Sequence, residues 1–196
     1  MRYLLFILYI ITLPSVRSDE PERIKITVGF YDAINPQLSS ELIAAIETQY
    51  NADVLVQPKV QVFPKSTYYK PRSRYRAELI LKHLNKLPGN HRSYLAVTTH
   101  DISTTKDEVY DWGVMGLGYQ PGKSCVISTY RLKTANTVLF NDRVIKVALH
   151  EIGHNLGLPH CKYSTTCYMA DAVGTVKSVD REAFILCSHC ERMMLK

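Results

Sequence analysis

The sequence predicts a mixed α/β fold in a single domain, and three observations predict it. Strand and helix patterns alternate through the first two thirds of the 196 residues, the last third is irregular apart from one helix, and four cysteines in two pairs stand in that last third. This order indicates an α/β layer followed by a small C-terminal part stapled by metal. Apolar residues make up 46% and charged residues 21%, which excludes a disordered, fibrous or multi-span membrane chain.

Arg23 to Phe30 alternates around Ile24, Ile26 and Val28, the period of a strand. Asn35-Pro36 supplies a helix cap and a first-turn proline, and Leu38, Leu42, Ile43 and Ile46 recur at helical spacing up to Tyr50. Val54 to Phe63 returns to β-branched residues, broken at Pro58, and Pro64 to Pro71 reads as a basic, tyrosine-rich loop. A second helix is expected from Ser73 to Leu87 on Leu79, Ile80 and Leu84, stopped by Pro88-Gly89. Ser93 to Thr98 is a strand, Asp101 to Glu108 a polar connection, Trp112 to Tyr119 a glycine-rich segment and Cys125 to Tyr130 another strand. A third helix begins at Val138 or Asn141 and runs to Leu156, and a last one starts near Ser178 and enters the final cysteine pair.

The first eighteen residues have the composition of a secretory leader. Arg2 is a basic start, Tyr3 to Leu13 an apolar run, and Val16-Arg17-Ser18 a cleavage site. Pro14 ends the apolar run well short of the ~20 residues a membrane span needs. The expectation is a signal peptide over 1–18, a mature domain over 19–196, a secreted, periplasmic or otherwise extracytoplasmic location, and no stable membrane span. Loss of Arg2 and Arg17 takes the formal charge from +6 to +4, so the mature chain is mildly basic. Much of the excess lies in Lys65 to Arg76, where Lys65, Lys70, Arg72, Arg74 and Arg76 alternate with Tyr68, Tyr69 and Tyr75. Such interleaving can bind nucleic acid, but a solvated loop is the commoner use of a charge run, and no nucleic-acid partner is expected. Nothing in the sequence sets an oligomeric state.

The chemistry is concentrated in the run from His150 to His160, HEIGHNLGLPH. Residues four apart on a helix share a face, so His150 and His154 can present ring nitrogens to one zinc ion. Glu151 stands one residue round, beside the metal, where its carboxylate can take a proton from an attacking water. Gly157 is placed to end the helix in a left-handed cap, Pro159 forbids its continuation, and the turned chain brings His160 back as a third ligand. Three protein ligands leave a fourth position open, the arrangement of a catalytic rather than a structural zinc. Hydrolysis of a peptide or protein substrate follows from that chemistry. The rival reading is a non-catalytic zinc-binding or interaction protein, against which the intact Glu151 speaks. Tyr130, Tyr163 and Tyr168 are each candidates to offer a phenol near the metal, and spacing selects none of them.

Beyond His160 stand Cys161, Cys167, Cys187 and Cys190, with Cys125 alone upstream. Four cysteines in two pairs suit a tetrahedral four-thiolate zinc. Two disulfides suit an exported chain equally well, although a C-x-x-C pair belongs more often to metal or redox sites. Spacing leaves both readings open, with His189 a weaker ligand candidate.

The run from His150 to Cys190 resembles the archaemetzincins, a family of metzincin zinc metallopeptidases. Their motif is HExxHxxGxxHC, a short gap to C-x-M, then seventeen residues to C-x-x-C; here stand Cys167-Tyr168-Met169, seventeen residues from Ala170 to Leu186, and Cys187-Ser188-His189-Cys190. One departure is visible: five residues separate Cys161 from Cys167 where the family pattern has four. A leader is a second departure, since the family is mainly intracellular. The resemblance implies a metzincin-like domain with a twisted mixed sheet, an active-site helix and a small zinc-stapled C-terminal part. It also implies that Met169 forms a Met-turn beneath the catalytic zinc and that the four cysteines hold a second, structural zinc. The segment Val126 to Leu132 resembles the family's strand ahead of the active-site helix, in a sheet whose edge strand pairs with extended substrate.

Overall fold

The alternation around Ile26 and Val28 builds β1 (Ile24–Phe30) in the computed structural model, which describes residues 23–171 and 174–194; the expected leader lies outside these. Next comes α1 (Pro36–Tyr50), whose first turn is capped by the Asn35 side chain accepting from the Gln37 amide and whose end is turned by Asn51 in the left-handed region. After it come β2 (Ala52–Val56), β3 (Tyr68–Tyr69), β4 (Arg74–Arg76), α2 (Ala77–Leu84) and β5 (Ser93–Thr98). The chain continues through β6 (Ile102–Lys106), β7 (Val109–Val114), β8 (Gly116–Gly118), β9 (Ser124–Ser128), α3 (Thr137–Asn155), α4 (Val176–Arg181) and α5 (Ser188–Met194).

The mixed α/β architecture is as expected. One sheet has the order β2-β1-β5-β9-β8, with the first four strands parallel and β8 antiparallel at the edge. Both of its faces are covered. Leu95 and Val97 of β5 point to the side where Leu42 and Ile46 of α1 meet Val144, Ala148 and Ile152 of α3, whereas Tyr94 and Ala96 point to Ile80, Leu81 and Leu84 of α2. This two-sided burial explains why every residue of β5 is buried, and truncating one of these aliphatic side chains to alanine costs about 2–5 kcal/mol.

Three expectations need correction. The polar connection from Asp101 to Glu108 and the start of the glycine-rich segment form an antiparallel hairpin, β6 with β7, turned at Asp107 with φ 50°. Here Ile102 opposite Val114 supplied the pairing that polar composition concealed. The basic run is not a solvated loop: it carries β3 and β4 of a second sheet, ordered β3-β4-β6-β7. Arg74 lies 3.2 Å from the Asp101 carboxylate and 3.5 Å from Asp111, and Arg76 is buried against Glu78 and the Tyr110 ring. Finally, the single helix expected from Ser178 is two, α4 and α5. The stretch between them bonds back to the Cys167 loop, with the Ala183 amide donating to the Thr166 carbonyl and the Tyr168 amide to that of Ile185. No helix of the described residues is long and apolar enough to cross a membrane.

Candidate functional site

α3 begins at an Asn136 cap and runs buried on most sides to Asn155. Its end follows the chemistry of its sequence. Gly157 takes φ 103°, its amide donates to the His154 carbonyl, and the Leu158 amide donates to that of Gly153, the paired bonds of a glycine-terminated helix. The reversed chain then carries His160 back over the last turn. The ring centroids of His150, His154 and His160 lie 4.6, 4.9 and 5.2 Å apart, and one potential ligand atom from each lies within 4.8 Å of the others.

Two of the rings are held by backbone. His150 Nδ1 lies 2.8 Å from the Tyr168 carbonyl and His154 Nδ1 lies 2.8 Å from that of Leu158. A carbonyl only accepts, so each Nδ1 carries the proton and each Nε2 lone pair is left for a metal. Burial and the neighbouring histidines push His150 down to about 3, so its ring is neutral, as a ligand must be; burial lowers His154 as well. His160 is more exposed, with Nδ1 3.9 Å from Asp171. These donors fit one zinc with an open side toward solvent.

Glu151 is buried beneath the edge strand β8. A Cβ on Gly116 would lie 2.5 Å from the Glu151 Oε1, and one on Gly118 would lie 2.9 Å from the Glu151 carbonyl, so glycines two apart on one strand face make room for this residue. Burial raises its carboxyl to about 8. Met169 is also fully buried, with its Sδ against Gly153, between the two helical histidines. The Met169 carbonyl accepts from the Cys161 amide, so the turn from Tyr168 to Ala170 braces both His150 and the chain after His160. Sequence reasoning missed Asn155, whose side chain donates to the Tyr119 and Ser124 carbonyls and accepts from Ser93, tying the helix end to the β8–β9 connection.

The four cysteines also converge. Their sulfurs lie within 4.8 Å of one another, with Cys161 and Cys187 3.5 Å apart, and none is bonded to another. A tetrahedral zinc with sulfurs at 2.3 Å spaces them about 3.8 Å apart, whereas a disulfide needs about 2.0 Å. The geometry therefore fits a four-thiolate metal, and no two of the sulfurs stand at bonding distance. Cys187 and Cys190, three apart at the start of α5, share one helix face, and the Cys187 and Tyr163 amides donate to the sulfurs of Cys167 and Cys161. The longer Cys161–Cys167 loop is accommodated without displacing either sulfur from the group. Cys125 is apart, buried in the sheet core beside Ser93 and the Tyr94 carbonyl.

Other candidates fall away. His189 stacks on exposed Tyr163 and is outside the cysteine group. Tyr168 is buried in the core near Tyr50, and its carbonyl rather than its phenol serves the site. Neither Tyr163 nor Tyr130 lines the cleft over the histidines. That cleft, about 650 Å³, has Met115 to Gly118 on one wall and Thr104 to Lys106, Trp112 to Val114 and Arg131 on another; α3 forms its floor, and Val176, Val179 and Glu182 close it.

Comparison with known proteins agrees with this geometry. The profile of Peptidase family M54 matches residues 21–196. The archaemetzincin of Halobacterium salinarum is 34% identical over 158 residues, covering 76% of this chain and 87% of that protein. The crystal structure of the archaemetzincin of Archaeoglobus fulgidus, complexed with malonate, superposes with a TM-score of 0.73 at 31% identity, covering 86% of this chain and 99% of that one. That of Methanopyrus kandleri superposes with a TM-score of 0.76 at 26% identity, covering 88% and 94%.

Proposed function

This chain belongs to peptidase family M54 and is a zinc metallopeptidase, and from that premise we propose that it hydrolyses peptide bonds over His150, His154 and His160 with Glu151 as general base. The observation that carries the reading is the convergence of three imidazoles in an open cleft with a buried carboxylate one residue away. Zinc held there supplies Lewis acidity toward a scissile carbonyl and brings the pKa of water down to about 7.

The protein's own groups do the rest. The Tyr168 and Leu158 carbonyls hold two imidazoles in the tautomer that offers Nε2. Glu151, raised by burial and drawn back down by a cation beside it, accepts the proton of the attacking water and returns it to the leaving amine. β8 pairs with β9 on one side only, and its free edge borders the cleft, so an extended peptide can add to it as a further strand. The four cysteines hold a second zinc that closes the C-terminal part, and Met169 packs as a Met-turn against the active-site helix. We further propose, on residues 1–18 of the sequence, that the protein is exported.

The test is hydrolysis of a fluorogenic peptide mixture by zinc-loaded wild type and Glu151→Gln. A peptidase loses turnover in the variant with zinc content unchanged. Wild type that binds zinc yet cleaves no peptide would favour the non-catalytic reading.

A further inference from the structure

We propose that Glu182 makes this cleft selective for a basic substrate side chain next to the scissile bond. The proposal rests on the peptidase reading above and adds a substrate class to it.

Glu182 follows α4 on the wall that closes the cleft, and only 6% of its surface is exposed. Among the described residues its carboxylate has no hydrogen-bond partner, and the surface it retains borders both the cleft and a smaller adjoining pocket on the side of Cys161 and Arg181. A nearly buried carboxylate without a partner carries a desolvation cost that a cation in the cleft would remove. Burial lifts its carboxyl to about 7, against the opposing pull of Lys146. Lys146 does not satisfy it: that ammonium faces the Val179 carbonyl at 3.4 Å and lies 5.2 Å from the Phe184 ring, outside the cleft lining.

The neighbours suit the same guest. Val147, one helical turn before His150, and Val176 and Val179 of α4 line this part of the cleft with aliphatic surface. Apolar walls ending in a carboxylate match a lysine or arginine, whose methylene stem packs and whose head pairs. Because Val147 is one turn from His150, the pocket serves a side chain flanking the bond at the metal rather than one several residues away. The cations that line the cleft are Lys106, which lies 5.1 Å from the Trp112 ring, and Arg131, which already chelates Asp101.

The experiment uses one peptide scaffold carrying Arg, Lys, Leu or Glu on either side of the cleaved bond. It measures kcat/KM with zinc-loaded wild type and Glu182→Gln, and binding of the same peptides to Glu151→Gln with and without the second substitution. The Arg or Lys peptide is expected to exceed its Leu counterpart by about tenfold or more on one side of the bond, mostly in KM, and Glu182→Gln should bring that ratio near unity. The binding ratio should follow. A wild type that favours Leu or Glu, or a variant that weakens Arg and Leu peptides alike, would overturn the proposal. Failure to cleave any peptide would sink the peptidase reading instead, and the binding ratio would still decide this one.

Discussion

Among the described residues two clusters of potential metal ligands stand within one stretch of 41 residues, His150 to Cys190, and they are built differently. Two of the histidines stand on a long buried helix and are oriented by backbone carbonyls, and the turn after that helix brings the third beside them, with a cleft above and a carboxylate alongside. The cysteines stand on loops and the start of a short helix, four donors facing one another with no fourth side left open. The lesson is that a motif's surroundings assign its role: an open set on a rigid element suits chemistry, and a closed set joining poorly supported segments suits stability. Residues 161–187 include only one short described helix, α4, and reach the main core through Cys167, Tyr168, Met169 and Val179.

The comparison can be broken or sharpened by substitution. The largest effect is expected for Cys190→Ala, which opens the closed set. Loss of its metal should cost roughly several kcal/mol of stability, read as a fall in thermal midpoint, and a variant with unchanged midpoint and metal content would deny the cysteines their structural part. Next, Glu151→Gln should lower kcat/KM by about 10²–10⁴-fold while leaving the midpoint near wild type, so the two variants separate stability from chemistry. A smaller loss is expected for Gly153→Ala. Its Cβ would lie 2.4 Å from the Met169 Sδ, and the overpacking should cost about 1–3 kcal/mol, measured by denaturant unfolding. Met169→Ala in the same background should recover part of it.

The smallest effect concerns pH. Folding raises the Glu182 carboxyl from 4.5 to about 7, so between those values the folded protein holds a proton that the unfolded chain has lost. Stability attributable to this residue is therefore greatest at low pH and falls as pH rises from about 4.5 to 7. Comparing denaturant midpoints of wild type and Glu182→Gln at pH 5 and pH 8 should show the variant with the shallower decline.

Much of the histidine site was legible in the sequence because its geometry is local. Spacing of four on a helix, a glycine where φ must be positive and a proline after it describe the turn almost completely. The cysteines were legible as a group but not as a state, since spacing does not say whether sulfurs sit 2 or 4 Å apart. What sequence reasoning missed depended on partners distant in the chain. The β6–β7 hairpin looked polar because one of its faces meets solvent, and Arg74 and Arg76 looked solvated because Asp101, Asp111 and Glu78 are brought to them only by the fold. Gly116 and Gly118 carried a usable signal: two glycines at strand spacing mark a face approached closely, here by Glu151. Glu182 carried none, being one acidic residue in a polar stretch until α4 turns it toward the cleft.

The most direct test of two clusters with separate roles is zinc content per chain, with peptide hydrolysis, for wild type, His154→Ala and Cys190→Ala. The account predicts two zincs in wild type and one in each variant, with His154→Ala inactive but folded and Cys190→Ala losing stability. One zinc in wild type that His154→Ala removes entirely would contradict the second site, and a His154→Ala protein that keeps both its zinc and its hydrolysis would contradict the first.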